Sequence, residues 1–83
     1  MTRVNIKYFA ALREALGPGE QRDTRAQTVG QLRDELIALD AAHAQALARQ
    51  KPVRAALNQV MSEEDQALSE GCEVAFFPPV TGG

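Results

Sequence analysis

The sequence predicts an α+β domain in which a mixed sheet of four to five strands packs on one main helix and ends in an extended C-terminal tail. Three observations support this prediction. Both ends of the chain alternate between apolar and polar residues with the two-residue period of strands, a central segment has the spacing of an amphipathic helix, and two prolines follow the last apolar run. One amphipathic helix needs one apolar sheet face to cover it, so a two-layer fold is the simplest arrangement.

Length and composition limit the class of protein. The chain has 83 residues, of which 45% are hydrophobic, and a net charge of −2, which are typical of one small folded domain. No cluster of basic residues indicates nucleic acid or anionic lipid as a partner. The first residues alternate in polarity and do not form an apolar signal core, and Cys72 is the single cysteine, so we expect a cytoplasmic protein in a reducing compartment.

The N-terminal third predicts a strand, a short helix and an edge strand. Residues 2–8 place alternate apolar side chains on one face, and from residue 9 the apolar spacing becomes helical until Gly17 and Pro18 stop it. Residues 20–26 are mostly polar, which an edge strand tolerates. The apolar residues of the short helix are Phe9, Leu12 and Leu16.

The main helix begins after Thr28. Gln31 follows three residues later, which is the spacing of a capping box. Asp40 can cap a further Ala-rich helix over residues 41–49, and the sequence leaves open whether that helix is separate from the main one. The buried stripe of the main helix is predicted to comprise Val29, Leu32, Leu36 and Leu39.

The C-terminal half predicts three more strands. Residues 53–58 alternate in polarity, and residues 60–61 form a short strand after a tight bend. The acidic stretch 62–65 is interpreted as a solvated loop, and residues 66–70 as one helical turn. The last strand covers residues 72–77. Its inward-facing residues are predicted to be Val74 and Phe76.

The last six residues form the predicted tail, so that the chain divides into a folded domain, residues 1–77, and a tail, residues 78–83. Pro78 and Pro79 lack the amide hydrogen that a sheet needs and favour a stiff, extended backbone that could reach roughly 20 Å. Val80 and Thr81 continue this arm. Gly82 and Gly83 have no Cβ, so the terminal backbone can enter a narrow channel. The α-carboxylate of Gly83 is an unreactive acyl group and needs activation before carbonyl chemistry.

The run from Glu73 to Gly83 at one end of the chain and the run from Lys7 to Glu14 near the other end resemble a known family, the small, sulfur-carrying subunit of molybdopterin synthase. The match at the C-terminal end is highly specific, whereas the middle of the chain is generic. The residues that carry the resemblance are the run from Glu73 to Gly83, which includes Phe76, Phe77, Pro78, Pro79, Val80, Thr81 and the diglycine, and the run Lys7, Tyr8, Phe9, Ala10, Ala11, Leu12, Arg13 and Glu14.

The resemblance implies the ubiquitin-like β-grasp fold, with the first and last strands parallel in the centre of the sheet. It implies that an adenylyltransferase of the ubiquitin-activating kind uses ATP and magnesium to adenylate Gly83. Sulfur transfer then converts Gly83 to a thiocarboxylate, which builds the dithiolene of molybdopterin from cyclic pyranopterin monophosphate. The folded domain itself would bind no cofactor. The chain would be a non-catalytic subunit in a heterotetramer of two small and two large catalytic subunits.

An exposed apolar cluster is the predicted partner surface. If Phe76 faces the core, Phe77 faces away from it, and Phe9 and Met61 can join Phe77 beside the tail. Phe9 could instead be the first core residue of its helix. In the family the corresponding positions dock the small subunit on the large one.

The remaining reactive residue types are interpreted as structural. His43 is predicted to have no carboxylate or cysteine partner at metal-binding spacing, and Cys72 is predicted to be a small, partly buried thiol at a position where the family usually has aspartate. No motif for a metal, a phosphate or a catalytic triad is found.

Three alternatives remain open at this stage. The chain could carry sulfur for thiamine, cysteine or tRNA thiolation, although the Phe-Phe-Pro-Pro-Val run favours molybdopterin. It could be a protein modifier that joins Gly83 to a lysine of a target. It could also be a β-grasp binding module with an inert tail.

Overall fold

The computed structural model of the chain describes residues 1–79, so the predicted tail residues Val80, Thr81, Gly82 and Gly83 lie outside the described part. Five strands and three short helices make up this part, in agreement with the predicted α+β class. In chain order they are β1 (Thr2–Tyr8), α1 (Ala11–Leu16), β2 (Gly19–Thr24), α2 (Val29–Ile37), α3 (Ala41–Ala46), β3 (Arg54–Leu57), β4 (Val60–Ser62) and β5 (Cys72–Phe77).

The five strands form one mixed sheet in the order β2-β1-β5-β3-β4. Strands β1 and β5 are parallel neighbours in its centre, and the other pairs are antiparallel. This is the ubiquitin-like β-grasp arrangement, which confirms the prediction for the two most apolar strands. These strands lie in the centre because their inward side chains are covered by the helices while their backbones pair on both sides.

The hydrophobic core lies between the inner face of the sheet and the helices. Val4, Val74 and Leu32 are completely buried there, and Phe76 is 1% exposed. Strand β2 lies at one edge, as predicted, and begins at Gly19, where a Cβ atom would lie 2.3 Å from the carbonyl oxygen of Ile6. Only glycine permits that close approach of the two backbones.

The main helix α2 begins as its capping residues predict. The hydroxyl of Thr28 accepts a hydrogen bond from the amide of Gln31, and the Gln31 side chain accepts one from the amide of Gln27, one residue before the expected partner. The predicted place of Leu39 in the buried stripe is wrong. The helix ends at Ile37, so Leu39 leaves the helical face and is 43% exposed.

Helix α3 is separate from α2 and shorter than predicted. Asp40 caps it, because its carboxylate accepts a hydrogen bond of 2.8 Å from the amide of His43. The helix ends at Ala46, and the carbonyl groups that follow are bound by Arg33, a buried side chain of α2. Its guanidinium donates hydrogen bonds to the carbonyl oxygens of Leu47 and Ala48. Arg33 thus joins α2 to the segment after α3.

The segment between β4 and β5 differs from the sequence prediction in two respects. Residues 66–70 form no helical turn, because their backbone pairs with the start of α2 through a bridge between Ala67 and Thr28. The acidic stretch is also not simply solvated, since Glu64 forms ion pairs with Arg33 and Arg49. Both departures come from contacts with distant parts of the chain.

Strands β3 and β4 form a tight hairpin. Asn58 and Gln59 connect them with φ angles of 50° and 69°, the left-handed conformation that two-residue hairpin loops require. The hairpin places Met61 opposite Ala56. The outer face of the sheet, which points away from the helices, therefore includes Met61 at one side.

Candidate functional site

The tail begins at the end of the central strand β5. Phe77 is the last strand residue and pairs with Arg54 of β3, and Pro78 and Pro79 follow it as half-buried residues. On the other side, the amide of Phe9 donates a hydrogen bond of 3.2 Å to the carbonyl oxygen of Phe76. The root of the tail is thus held on both sides by the sheet. Because proline has no amide hydrogen, the sheet cannot continue beyond Phe77 at Pro78.

The outer face brings the three predicted interface residues together. Phe77 points away from the core and is half-buried, whereas its neighbour Phe76 points inward. Phe9 is 45% exposed and lines the same surface depression as Phe77, which excludes the alternative that Phe9 is a core residue of α1. Met61 is 56% exposed and lies beside Ala56 at the β4 side of this face. Their role in binding a partner stays a prediction.

A strained residue presents Phe9 on this face. Ala10 has φ 55° and ψ −131°, a conformation that glycine adopts readily and alanine does not. The turn that it forms is closed by a hydrogen bond of 3.1 Å from the amide of Leu12 to the carbonyl oxygen of Phe9. Leu12 turns into the core while Phe9 stays outside it. The sequence contains no signal for this strain, because alanine is ordinary in a helix.

On the opposite side of the tail root, an apolar groove runs between α1 and α3. Its volume is about 580 Å³, and Pro78 and Pro79 line one end of it. Leu12 and Ala46 contribute to its walls, and Lys51 is the one charged residue among the described residues that line it. The sequence analysis missed this groove, since it depends on how two short helices pack.

The sequence predicted no carboxylate or cysteine partner of His43 at metal-binding spacing, and it missed two carboxylates that contact His43. Its ring nitrogens lie 2.7 Å from a carboxylate oxygen of Asp40 and 2.9 Å from one of Glu20, and the hydroxyl of Tyr8 donates a hydrogen bond to the same Glu20 oxygen. His43 is 9% exposed. This network attaches α3 to strands β1 and β2 on the side of the sheet away from the outer face. Asp40 is the N-cap of α3 and lies three residues before His43, a spacing from which the contact between these two side chains could have been predicted. The contact with Glu20 has no such signal.

The two carboxylates favour the charged form of His43. Burial by itself lowers the pKa of a histidine, but the hydrogen bonds and negative charges of Glu20 and Asp40 outweigh it, and the pKa of His43 lies above its usual value. The hydrogen bond from the backbone amide of His43, followed by that from its ring, lowers the pKa of Asp40. Burial and the hydrogen bond to Glu20 raise the pKa of Tyr8. The network is therefore a structural ion pair that is strongest when His43 is protonated.

The other reactive or metal-binding residue types in the described part have structural positions. Cys72 is 3% exposed on the inner face, so it is more deeply buried than the sequence predicted. Within residues 1–79 no three His, Cys, Asp or Glu side chains are grouped as metal ligands. None of the helices in that range is long and apolar enough to span a membrane.

Comparison with protein families gives a match over almost the entire chain. The model of the ThiS family matches residues 6–83, a range that includes the end of β1, all of β5 and the C-terminal diglycine. The chain belongs to the ThiS family. The resemblance to the sulfur carrier subunit of molybdopterin synthase is confirmed by relatives of that name.

Individual relatives of this ThiS-family chain agree with the match. The molybdopterin synthase sulfur carrier subunit of Escherichia coli (strain K12) is 40% identical over 82 residues, which cover 96% of this chain and 99% of that protein. The solved structure of a putative molybdopterin converting factor, subunit 1, from Pyrococcus furiosus has a TM-score of 0.78 at 25% identity, and covers 96% of this chain and 100% of its own.

A third similar protein has a different name. The crystal structure of small archaeal modifier protein 1 from H. volcanii has a TM-score of 0.76 at 27% identity. The match covers 96% of this chain and 100% of that one. This ThiS-family fold is therefore shared by a putative molybdopterin converting factor, subunit 1, and by a protein called a modifier.

Proposed function

We propose that this chain is the sulfur carrier subunit of a molybdopterin synthase. The observation that carries the proposal is the similarity over nearly the full length to the E. coli sulfur carrier subunit, which is 40% identical. The Phe-Phe-Pro-Pro-Val run and the diglycine at the end of the sequence agree with it. The chain would act as a donor of sulfur and not as a catalyst, because its folded part supplies a scaffold for Gly83.

The proposed chemistry begins with activation of Gly83. Its carboxylate oxygen attacks the α-phosphorus of ATP, with magnesium, in the site of a ubiquitin-activating type of adenylyltransferase, and pyrophosphate leaves. The product is an acyl adenylate, which replaces a poor leaving group by a good one. Sulfur at the oxidation level of sulfide then attacks the carbonyl carbon of Gly83, AMP leaves and a proton is lost, so that the terminal carboxylate becomes a thiocarboxylate.

The second stage takes place in a partner protein. We propose that the arm of residues 78–83 carries the thiocarboxylate into the pocket of a large catalytic subunit, where the sulfur attacks a carbon of cyclic pyranopterin monophosphate and displaces an oxygen substituent. Water then cleaves the bond between this sulfur and the carbonyl carbon of Gly83, which leaves the sulfur on the pterin and restores the Gly83 carboxylate. A dithiolene contains two sulfur atoms and each carrier delivers one, so two deliveries are needed for each molybdopterin. In a heterotetramer of two small and two large subunits, which the resemblance implies, each large subunit holds one carrier at a time, so a second loaded carrier would have to replace the first. Proximity of the delivered sulfur to its target supplies much of the rate.

The outer face is the proposed docking surface for the large subunit. Phe77 precedes the tail directly, and Phe9 and Met61 are exposed on the same side. An apolar surface at the root of the tail would orient the arm as it enters a partner, because Phe77 is both a contact residue and the last residue of β5 before the tail. Aromatic residues and methionine are enriched in such interfaces.

Intact mass spectrometry tests the proposed carrier role. The purified chain is incubated with a cognate activating enzyme, ATP, magnesium and a sulfur donor, and a variant that lacks Gly82 and Gly83 serves as the control. The expected result is a mass gain equal to one oxygen replaced by one sulfur, localised to Gly83 and absent from the control. An unchanged mass, with the enzyme shown to activate another carrier, would contradict the proposal.

A protein modifier is the second candidate, and the similarity to small archaeal modifier protein 1 favours it. In that function Gly83 forms an isopeptide bond with a lysine of a target. Denaturing gel electrophoresis distinguishes the two functions, since conjugates persist on the gel whereas a thiocarboxylate leaves the chain at its own mass. A carrier for thiamine, cysteine or tRNA thiolation would pass the mass test and would fail to support molybdopterin formation with the large subunit.

A further inference from the structure

The outer face contains a recess beside Phe77. Its volume is about 360 Å³, and the aromatic side chains of Phe9 and Phe77 contribute to its walls. Ala56 of β3 and Ala75 of β5 also line it, and the strand register places these two residues directly opposite each other. The apolar surface at the root of the tail is therefore not flat.

Two alanines create the recess. The side chains of Ala56 and Ala75 are single methyl groups that point away from the helices, and longer side chains surround them. They are nevertheless 9% and 6% exposed, because the neighbouring side chains stand above them. A larger residue at either position would fill the recess from its floor.

Unpaired positive charges flank the recess. Lys7 of β1 lies next to Ala75, and Arg54 of β3 lies opposite Phe77. Both charged side chains are exposed. Among the described residues neither forms an ion pair, whereas the arginines at positions 3, 22, 33 and 49 all do. One acidic residue, the half-buried Glu73, also lines the recess. Lys7 and Glu73, which line the recess, have opposite charges, and Arg54 adds one positive charge beside Phe77, just outside the recess.

We infer that the recess receives one large apolar side chain of the large catalytic subunit, and that carboxylates beside that side chain contact Lys7 and Arg54. The inference rests on the proposed function and specifies how the partner is recognised. An apolar anchor that enters a pocket is the usual centre of an interface, and charges at its rim set orientation and the rate of association. Ala75 and Ala56 set the size of the anchor that fits.

Filling the recess tests the inference. We expect Ala75→Leu to raise the Kd for the purified large subunit about 10- to 100-fold, the loss that corresponds to one excluded large apolar side chain. The midpoint of denaturant unfolding should not fall, because the leucine grows into open space. Ala41→Leu is the matched control, since Ala41 is exposed on α3 and lines no part of the recess. It should leave the Kd unchanged.

A charge reversal provides a second test that does not depend on packing. Lys7→Glu should raise the Kd several-fold at low salt, with a smaller effect at high salt, because an exposed ion pair is screened. Arg13→Glu makes the same charge change on α1, where the side chain is also exposed, and should have no effect on the Kd.

The outcomes separate the inference from the proposed function. If Ala75→Leu is folded and binds the large subunit as tightly as the unsubstituted chain, the recess receives no anchor, although the carrier role stands. If Lys7→Glu and Arg13→Glu behave alike, the acidic partner surface is wrong. If the unsubstituted chain forms a thiocarboxylate but does not bind the large subunit, this inference and the choice of molybdopterin synthase both fail while sulfur carriage remains.

Discussion

Phe76 and Phe77 are adjacent residues with opposite expected effects when each is changed to alanine. Phe76 is 1% exposed and stacks on Tyr8 with 6.4 Å between ring centroids, whereas Phe77 is half-buried on the outer face. Phe76→Ala should therefore damage the fold, and Phe77→Ala should damage binding to the large subunit. The chemical change is the same in both variants.

The magnitudes follow from the burial of each ring. Deleting a buried phenylalanine side chain costs about 3 to 5 kcal/mol, and a domain of 83 residues has a total stability of roughly 4 to 12 kcal/mol. Phe76→Ala therefore removes a large fraction of the stability. Phe77 loses about half of the burial contribution of one large side chain, or about 1 kcal/mol. An interface anchor contributes about 2 kcal/mol or more, so Phe77→Ala should raise the Kd about 30-fold.

Two measurements on each variant test this reasoning. Urea unfolding followed by circular dichroism gives the free energy of unfolding, and isothermal titration calorimetry with the large subunit gives the Kd. The reasoning is refuted if Phe77→Ala destabilises the fold as much as Phe76→Ala does, since Phe77 would then be a core residue. An unchanged Kd for Phe77→Ala would remove this residue from the interface.

Three further predictions concern the tail, the strained turn and the histidine network. One residue added after Gly83 should abolish adenylation while the circular dichroism spectrum stays unchanged, because the carboxylate is displaced; normal pyrophosphate release would disprove this. Ala10→Gly should raise the free energy of unfolding by about 1 kcal/mol by relieving the positive φ; a loss of stability would show that the turn is unstrained. Since the folded-state pKa of His43 is raised, its contribution is present below about pH 6.5 and is lost as the pH rises through the folded-state pKa. Stability should thus fall more between pH 6 and pH 8.5 in the unsubstituted chain than in His43→Gln, and equal falls would refute the pairing with Glu20 and Asp40.

Local patterns were sufficient for most of the fold. Strands β1 and β5 were predicted with the bounds that the structure has, because alternation along a strand reflects its two faces directly. The cap of α2 was predicted from Thr28 and Gln31, which lie within one turn of each other. The prediction of a helical turn at residues 66–70 was wrong, because Ala67 pairs with Thr28, which is far away in the chain.

In the candidate site, too, local sequence patterns predicted some features and long-range contacts decided the others. The sequence by itself predicted that Phe77 faces outward, which the structure confirms, because the parity of positions in one strand decides it. The chemical role of the diglycine follows from residue type alone and stays a prediction. Only the tertiary structure decided that Phe9 lies outside the core, that Glu20 meets His43 across 23 residues, and that Ala56 and Ala75 lie side by side. These features depend on strand register and on which distant segments pack together, which no local pattern encodes.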